Sequence, residues 1–271
     1  MPSSAALRKQ IESAFQQRYP AVLTPAARTI REVAPTGIDA IDALLNGGLP
    51  VGAISELTGP MSSGRTSIAM AFLAQQTSEN VCAWIDSRDT FDPESAAASG
   101  VCLDRLLWVR CSQNSPSNPA DSMRAGFRAS ARNITNAKSQ PWSRLDQALR
   151  AIDLLLQAGG FSAIVLDLGN ESVEHGRRIP LATWFRLRQA ADRTRCSVIV
   201  LGKAPYAQSS AAVVLECERG LIHSANETVI RAFNFRAGRR RERFSPLTTI
   251  DRKPPVSTWS AEASWNAERY A

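Results

Sequence analysis

The nine residues Gly59-Pro60-Met61-Ser62-Ser63-Gly64-Arg65-Thr66-Ser67 follow the spacing G-x-x-x-x-G-K-[ST], with arginine where the lysine belongs. Between a strand and a helix, such a loop points successive backbone N–H groups and the positive end of the helix dipole at one spot, which suits a phosphate. Arg65 would add a cation there, and Thr66 a hydroxyl for Mg²⁺. Taken alone, the same letters also describe an ordinary Gly/Ser turn. A second element favours the phosphate loop. Ala163-Ile164-Val165-Leu166-Asp167 reads as a buried strand ending in an acid, as needed to hold a phosphate-bound metal. Other chemistries have little support. His175 and His223 are far apart, and Cys82, Cys102, Cys111, Cys196 and Cys217 show no paired spacing, which argues against zinc and for reduced thiols.

These residues need a scaffold, and the chain supplies one. Ala53–Leu57, Val81–Ile85, Leu106–Val109, Phe161–Leu168 and Ser197–Leu201 read as continuous apolar strands, with helices predicted over Thr66–Gln76, after Pro93, and over Leu145–Gln157 and Leu181–Arg195. Strands that alternate with helices and are apolar on both faces predict an α/β fold with a central, mainly parallel sheet covered on both sides. Val213–Glu216 and Thr228–Phe235 read as an antiparallel finish. Three parts follow: an N-terminal helical arm and linker at 1–34, a core at 35–245, and a flexible C-terminal tail at 246–271. The core carries a Ser-, Asn-, Pro- and Arg-rich insertion at 112–143. In the arm, Leu7, Ile11 and Phe15 recur every four residues on one helical face, which calls for a partner surface, in the same chain or on a neighbouring subunit.

The chain has 271 residues, 44% of them hydrophobic and 21% charged, which fits a soluble globular protein rather than a disordered one. No apolar run approaches the ~18 residues of a membrane span, and the N-terminus lacks a secretory apolar core, so a cytoplasmic protein without membrane contact is expected. The net charge of +7 allows a polyanionic partner without requiring one.

Over about residues 7–245 the order of motifs resembles the RecA recombinase family. Gln10-Ile11-Glu12 with Phe15 is similar to its oligomerisation helix. Pro35-Thr36-Gly37 through Gly47-Gly48-Leu49-Pro50 resembles the entry to its phosphate loop, and Gly59–Thr66 the loop itself. Ile85-Asp86, Phe91-Asp92-Pro93, Gly100-Val101 and Gln147-Ala148-Leu149 follow in order. The resemblance implies a RecA-like P-loop fold and a nucleotide site built from Gly59, Ser62, Ser63, Gly64, Arg65, Thr66 and Ser67, with Mg²⁺ reached through Thr66 and Asp167. It also implies homo-oligomerisation through Leu7, Ile11 and Phe15. The departures point to a degenerate ATPase. Arg65 replaces the phosphate lysine, Arg88 stands at the catalytic glutamate position, Ser95 at the adenine-stacking tyrosine, and Lys203 at the γ-phosphate-sensing glutamine. A cation at position 88 cannot act as the base that orients water, so weak binding of ATP and Mg²⁺ without turnover is expected.

The segments 169–178 and 204–212, where the recombinase carries its DNA loops, are short. This shortening resembles the ImuA group of RecA-like accessory proteins, which implies a role in SOS mutagenesis and translesion synthesis. The implied partners are an ImuB-like Y-family polymerase homologue and an error-prone polymerase subunit. An active, divergent recombinase with DNA-dependent ATPase activity and a SulA-like cell-division inhibitor are the alternatives. Arg236, Arg239, Arg240, Arg241 and Arg243 form the densest charge run, readable as a contact to single-stranded DNA or an acidic partner, or as a solvated turn. Trp259 and Trp265 read as docking anchors on the tail, or as residues packed onto the domain.

Overall fold

The structure, a computed structural model, describes residues 31–111, 143–169, 171–225, 229–242 and 255–262, together with Ser13. The arm with Leu7, Ile11 and Phe15, nearly all of the insertion, Arg243 and Trp265 lie outside the described residues.

The expected α/β sheet is present and has eight strands. In chain order, a two-residue pair, β1 (Val33–Ala34) and β2 (Leu49–Pro50), encloses α1 (Asp39–Leu44). There follow β3 (Ile54–Thr58), α2 (Arg65–Thr77), β4 (Cys82–Asp86), α3 (Pro93–Ala98) and β5 (Leu106–Arg110). After the insertion come α4 (Arg144–Ala158), β6 (Ala163–Asp167), α5 (Val173–Arg177), α6 (Leu181–Thr194) and β7 (Ser197–Gly202). The chain closes with β8 (Ala211–Ala225), β9 (Val229–Glu242) and β10 (Val256–Glu262). The large sheet runs β10-β9-β8-β3-β7-β6-β4-β5; the six strands from β8 to β5 are parallel, and β9 and β10 are antiparallel additions.

The apolar strands are buried because alternate residues feed two cores. Leu57, Trp84, Val165 and Ile199 pack with Ile41, Ile68, Phe72 and Leu73 on one face. Ile54, Ile85, Ile164, Leu166, Val198 and Val200 pack with Ile152, Leu156, Trp184 and Leu187 on the other. The starts of α4 and α3 are capped by side chains: the Ser143 hydroxyl accepts from the Asp146 N–H, and the Asp92 carboxylate from those of Glu94 and Ser95, with Pro93 in the first turn.

One expectation needs correction. The tail placed at 246–271 as flexible is, over Val256–Glu262, a strand of the sheet, paired antiparallel to β9 from Val256↔Gly238 to Glu262↔Ala232. Residues 256–261 alternate between exposed and half-buried, as an edge strand with one side facing water requires. The antiparallel finish is also longer than expected, because β8 and β9 run on for 15 and 14 residues.

Candidate phosphate-binding site

The parallel strands deliver Thr58, Asp86, Asp167 and Gly202 to one edge of the sheet, where open α/β sheets bind ligands. Asp86 and Asp167 are direct register partners, as are Thr58 and Gly202. The loop from Gly59 to Gly64 joins β3 to α2, and the Gly59 N–H donates to the Gly202 carbonyl at 3.1 Å. Gly64 takes a left-handed conformation, φ 83°, that glycine adopts without strain, and it starts α2 without a side-chain cap. The first-turn amides of that helix therefore have no intrahelical partner. The Ser63 hydroxyl is buried and has no hydrogen-bond partner, while Thr66 and Ser67 are exposed. Uncapped amides and an unpaired buried hydroxyl fit a phosphate.

A cavity of about 500 Å³ opens over this loop, lined by Ser62 through Ser67, Asp167 and Gly169 on one side and by Phe91, Ser95, Phe233, Phe235 and Ala261 on the other. Of the sequence-predicted loop residues, Ser62 through Ser67 share this cavity with Asp167, while Gly59 is not among its lining residues. Thr66 and Asp167 both line it, so the pair expected to hold Mg²⁺ is brought together.

Arg65 is spent on the protein itself. Its side chain is buried, and Nη1 donates to the carbonyls of Gly59 and, at 3.0 Å, Gly202, while Nη2 donates to that of Gly169 at 3.1 Å. Burial lowers its pKa, and the charge of Asp167 opposes that shift. Asp167 accepts the Gly169 N–H at 2.8 Å. Burial pushes its carboxyl up to about 6, Asp86 adding to the shift and the Gly169 N–H and Arg65 opposing it.

Arg88 is likewise occupied. It donates from Nε and Nη2 to the two oxygens of Glu171, at 2.7 and 2.9 Å. Its pKa is raised, first by these bonds. The neighbouring Asp89 forms a bidentate pair with Arg110, so it too is turned to structure.

Arg236, Arg239, Arg240 and Arg241 of the basic run lie within β9 rather than beyond the last strand. Arg236 pairs with Glu218 and Arg240 bidentately with Glu216, both on the facing strand β8, while Arg239 donates to the Leu44 carbonyl and Arg241 to that of Gln208. Cross-strand pairing neutralises charges that look free in the sequence. Trp259 stands opposite Phe235, ring centroids 5.2 Å apart, and both rings lie against Gly64, where an added Cβ would meet each at 2.8 Å. Of its two readings, packing onto the domain is the one observed for Trp259.

Three residues escaped sequence reasoning. Glu56, buried in β3, accepts the N–H groups of Tyr206 (2.6 Å) and Ala207 (2.8 Å), and burial raises its pKa. Its only signal was a charge inside an otherwise buried strand. Tyr206, also buried, lies against Gly176 and Gly202, where a Cβ would approach its ring to 2.4 and 2.7 Å. Glu171 gave no signal apart from the unmatched Arg88.

Comparison with known proteins bears on the fold. Over 83% of the chain, the structure superposes on 94% of a solved chain, the RadB recombinase, with a TM-score of 0.53 at 17% sequence identity. The fold is RecA-like. Residues 4–118 match the RecA N-terminal domain family. The chain is 39% identical over 99 residues to protein RecA of Nostoc punctiforme, which covers 36% of this chain and 28% of that protein. It is 28% identical over 188 residues to protein RecA of Ruegeria pomeroyi, covering 64% of this chain and 45% of that protein. The matched segment is therefore less than half the length of these curated relatives. Among the described residues, no helix is long and apolar enough to cross a membrane.

Proposed function

We propose that this chain is a RecA-like accessory protein of DNA-damage tolerance that binds Mg–ATP weakly and does not turn it over at enzyme rates. One observation carries the reading. Both positions at which hydrolysis calls for a phosphate-holding lysine and a water-orienting carboxylate hold arginines, and both arginines are bonded to the protein itself. The loop amides, Ser63, Thr66 and Asp167 would hold the phosphates and the metal. Bound Mg²⁺ would neutralise charge on the phosphates. No carboxylate stands free at position 88 to orient a water, so binding outlives catalysis.

The partners we assign are an ImuB-like polymerase homologue and an error-prone polymerase subunit, acting in translesion synthesis. Contact with single-stranded DNA and self-assembly through Leu7, Ile11 and Phe15 belong to the same proposal. The short segments after β6 and β7, packed around Tyr206, favour protein partners over a recombinase's grip on DNA. The second reading, an active divergent recombinase, draws on the relatives named RecA. Steady-state ATP hydrolysis with and without single-stranded DNA separates the two. No turnover above an Asp167→Ala control is expected, together with recovery of a polymerase subunit when the tagged chain is pulled from DNA-damaged cells. DNA-stimulated turnover abolished by Asp167→Ala would establish the recombinase instead.

A further inference from the structure

The guanidinium of Arg65 joins three separate strand ends. Gly59 follows β3, Gly169 follows β6 and Gly202 ends β7, and all three give their carbonyl oxygens to one side chain. The Gly202 oxygen also takes the Gly59 N–H, and a planar fork with five donors can satisfy several buried carbonyls at once in fixed directions. A phosphate ligand would gather the same loop from the amide side. Here the protein's own cation gathers it from the carbonyl side.

We infer that Arg65 stands in for a bound ligand, holding the loops after β6 and β7 in one arrangement whether or not nucleotide is present. This goes beyond the proposed function, because it concerns what the site does when empty. The loops are also fastened to each other and to the sheet. Tyr206, from the loop after β7, lies against Gly176 in α5 after β6, and Glu56 in β3 takes the N–H groups of Tyr206 and Ala207. Glu171 in the first loop is tied to Arg88. Arg65 connects this set to the phosphate loop. The surface that the two loops present is consequently constitutive, and nucleotide has no loop movement left to drive.

The test is amide hydrogen exchange on the full chain over 171–179 and 204–210, with and without Mg–ATP. In the wild type both segments should exchange slowly, at the same rate with and without the nucleotide. In Arg65→Lys, whose single ammonium cannot span the three carbonyls, both should exchange about tenfold faster without nucleotide. Gly169→Ala provides an independent route with the arginine intact. Its new Cβ would sit 2.7 Å from Arg65 Nη2, forcing the guanidinium off its acceptor, so the same two segments should loosen. Should Arg65→Lys fail to fold, Gly169→Ala decides. Mg–ATP slowing exchange in the wild-type loops would overturn the inference, as would wild-type rates in the folded variants. Hydrolysis plays no part in this readout, so the failure of the proposed function and the failure of this inference are told apart.

Discussion

Removing Arg88 should cost more than removing the residue it binds, although the two form one ion pair. The Arg88 side chain is 36% exposed and that of Glu171 only 3%. In Arg88→Ala the Glu171 carboxylate stays buried and loses its bidentate partner. Breaking a fully buried pair in this way costs about 3–5 kcal/mol, and because Arg88 is partly hydrated we expect about 2–3 kcal/mol here. In Glu171→Ala the guanidinium is near enough to water to hydrate in place, and the expected cost is about 1 kcal/mol. The double variant leaves no buried charge, so it should be more stable than Arg88→Ala alone. His175, whose Nδ1 lies 3.9 Å from Glu171, is the other basic side chain beside this carboxylate among the described contacts. The set is therefore repeated in a His175→Ala background, where the asymmetry should grow. Urea unfolding midpoints, compared at constant m-value, supply the measurement. If Arg88→Ala costs no more than Glu171→Ala, the buried carboxylate does not depend on Arg88. Its assignment as a structural cation, and not a catalytic one, then loses its physical basis.

Folding stability should decline as pH rises from about 4 to about 6. Unfolded Asp167 loses its proton near 3.8, while the folded carboxyl keeps it until about 6. Over that window the folded state therefore binds more protons, and raising the pH favours unfolding. Asp167→Asn should flatten this part of a stability profile measured by urea titration at stepped pH, while weakening Mg–ATP binding. Trp259→Ala should destabilise the chain by about 2 kcal/mol, less than truncation of a fully buried aromatic because the site is half-buried. Deleting the chain from Pro255 onward should lower the melting temperature further and promote association by uncovering β9. An unchanged melting temperature in the deletion would show that β10 adds nothing to the sheet.

What was legible in the sequence was whatever depended on neighbours in the chain. β3, β4, β6 and β7 announced themselves as apolar runs because they are buried on both faces, while β5, read the same way, is an edge strand that is only partly buried. The phosphate loop announced itself by spacing, because glycine at position 64 answers a local need for positive φ. Register was not legible. Nothing near Trp259 in the chain indicates that it stands opposite Phe235, and nothing near Arg240 indicates Glu216 on the next strand. Such pairs are set by which residues a ladder brings face to face. That depends on strand order and offset over long stretches of chain. Glu171 and Tyr206 were missed for the same reason.

The charge of +7 illustrates how far composition can mislead about surfaces. Arginine is the residue suited to phosphate, yet here it serves internal ends repeatedly. Arg65 closes a loop, Arg88 neutralises a buried carboxylate, Arg110 pairs with Asp89, and Arg236 and Arg240 bind glutamates across a hairpin. A polyanion reaching β9 would compete with Glu218 and Glu216 for Arg236 and Arg240. Each displaced glutamate subtracts from the counterion-release gain that drives binding to nucleic acid. A protein partner whose own arginines or amides could share those glutamates would meet no such opposition. The hairpin surface, basic by sequence, is thus chemically mixed, and it favours the protein side of the proposed function.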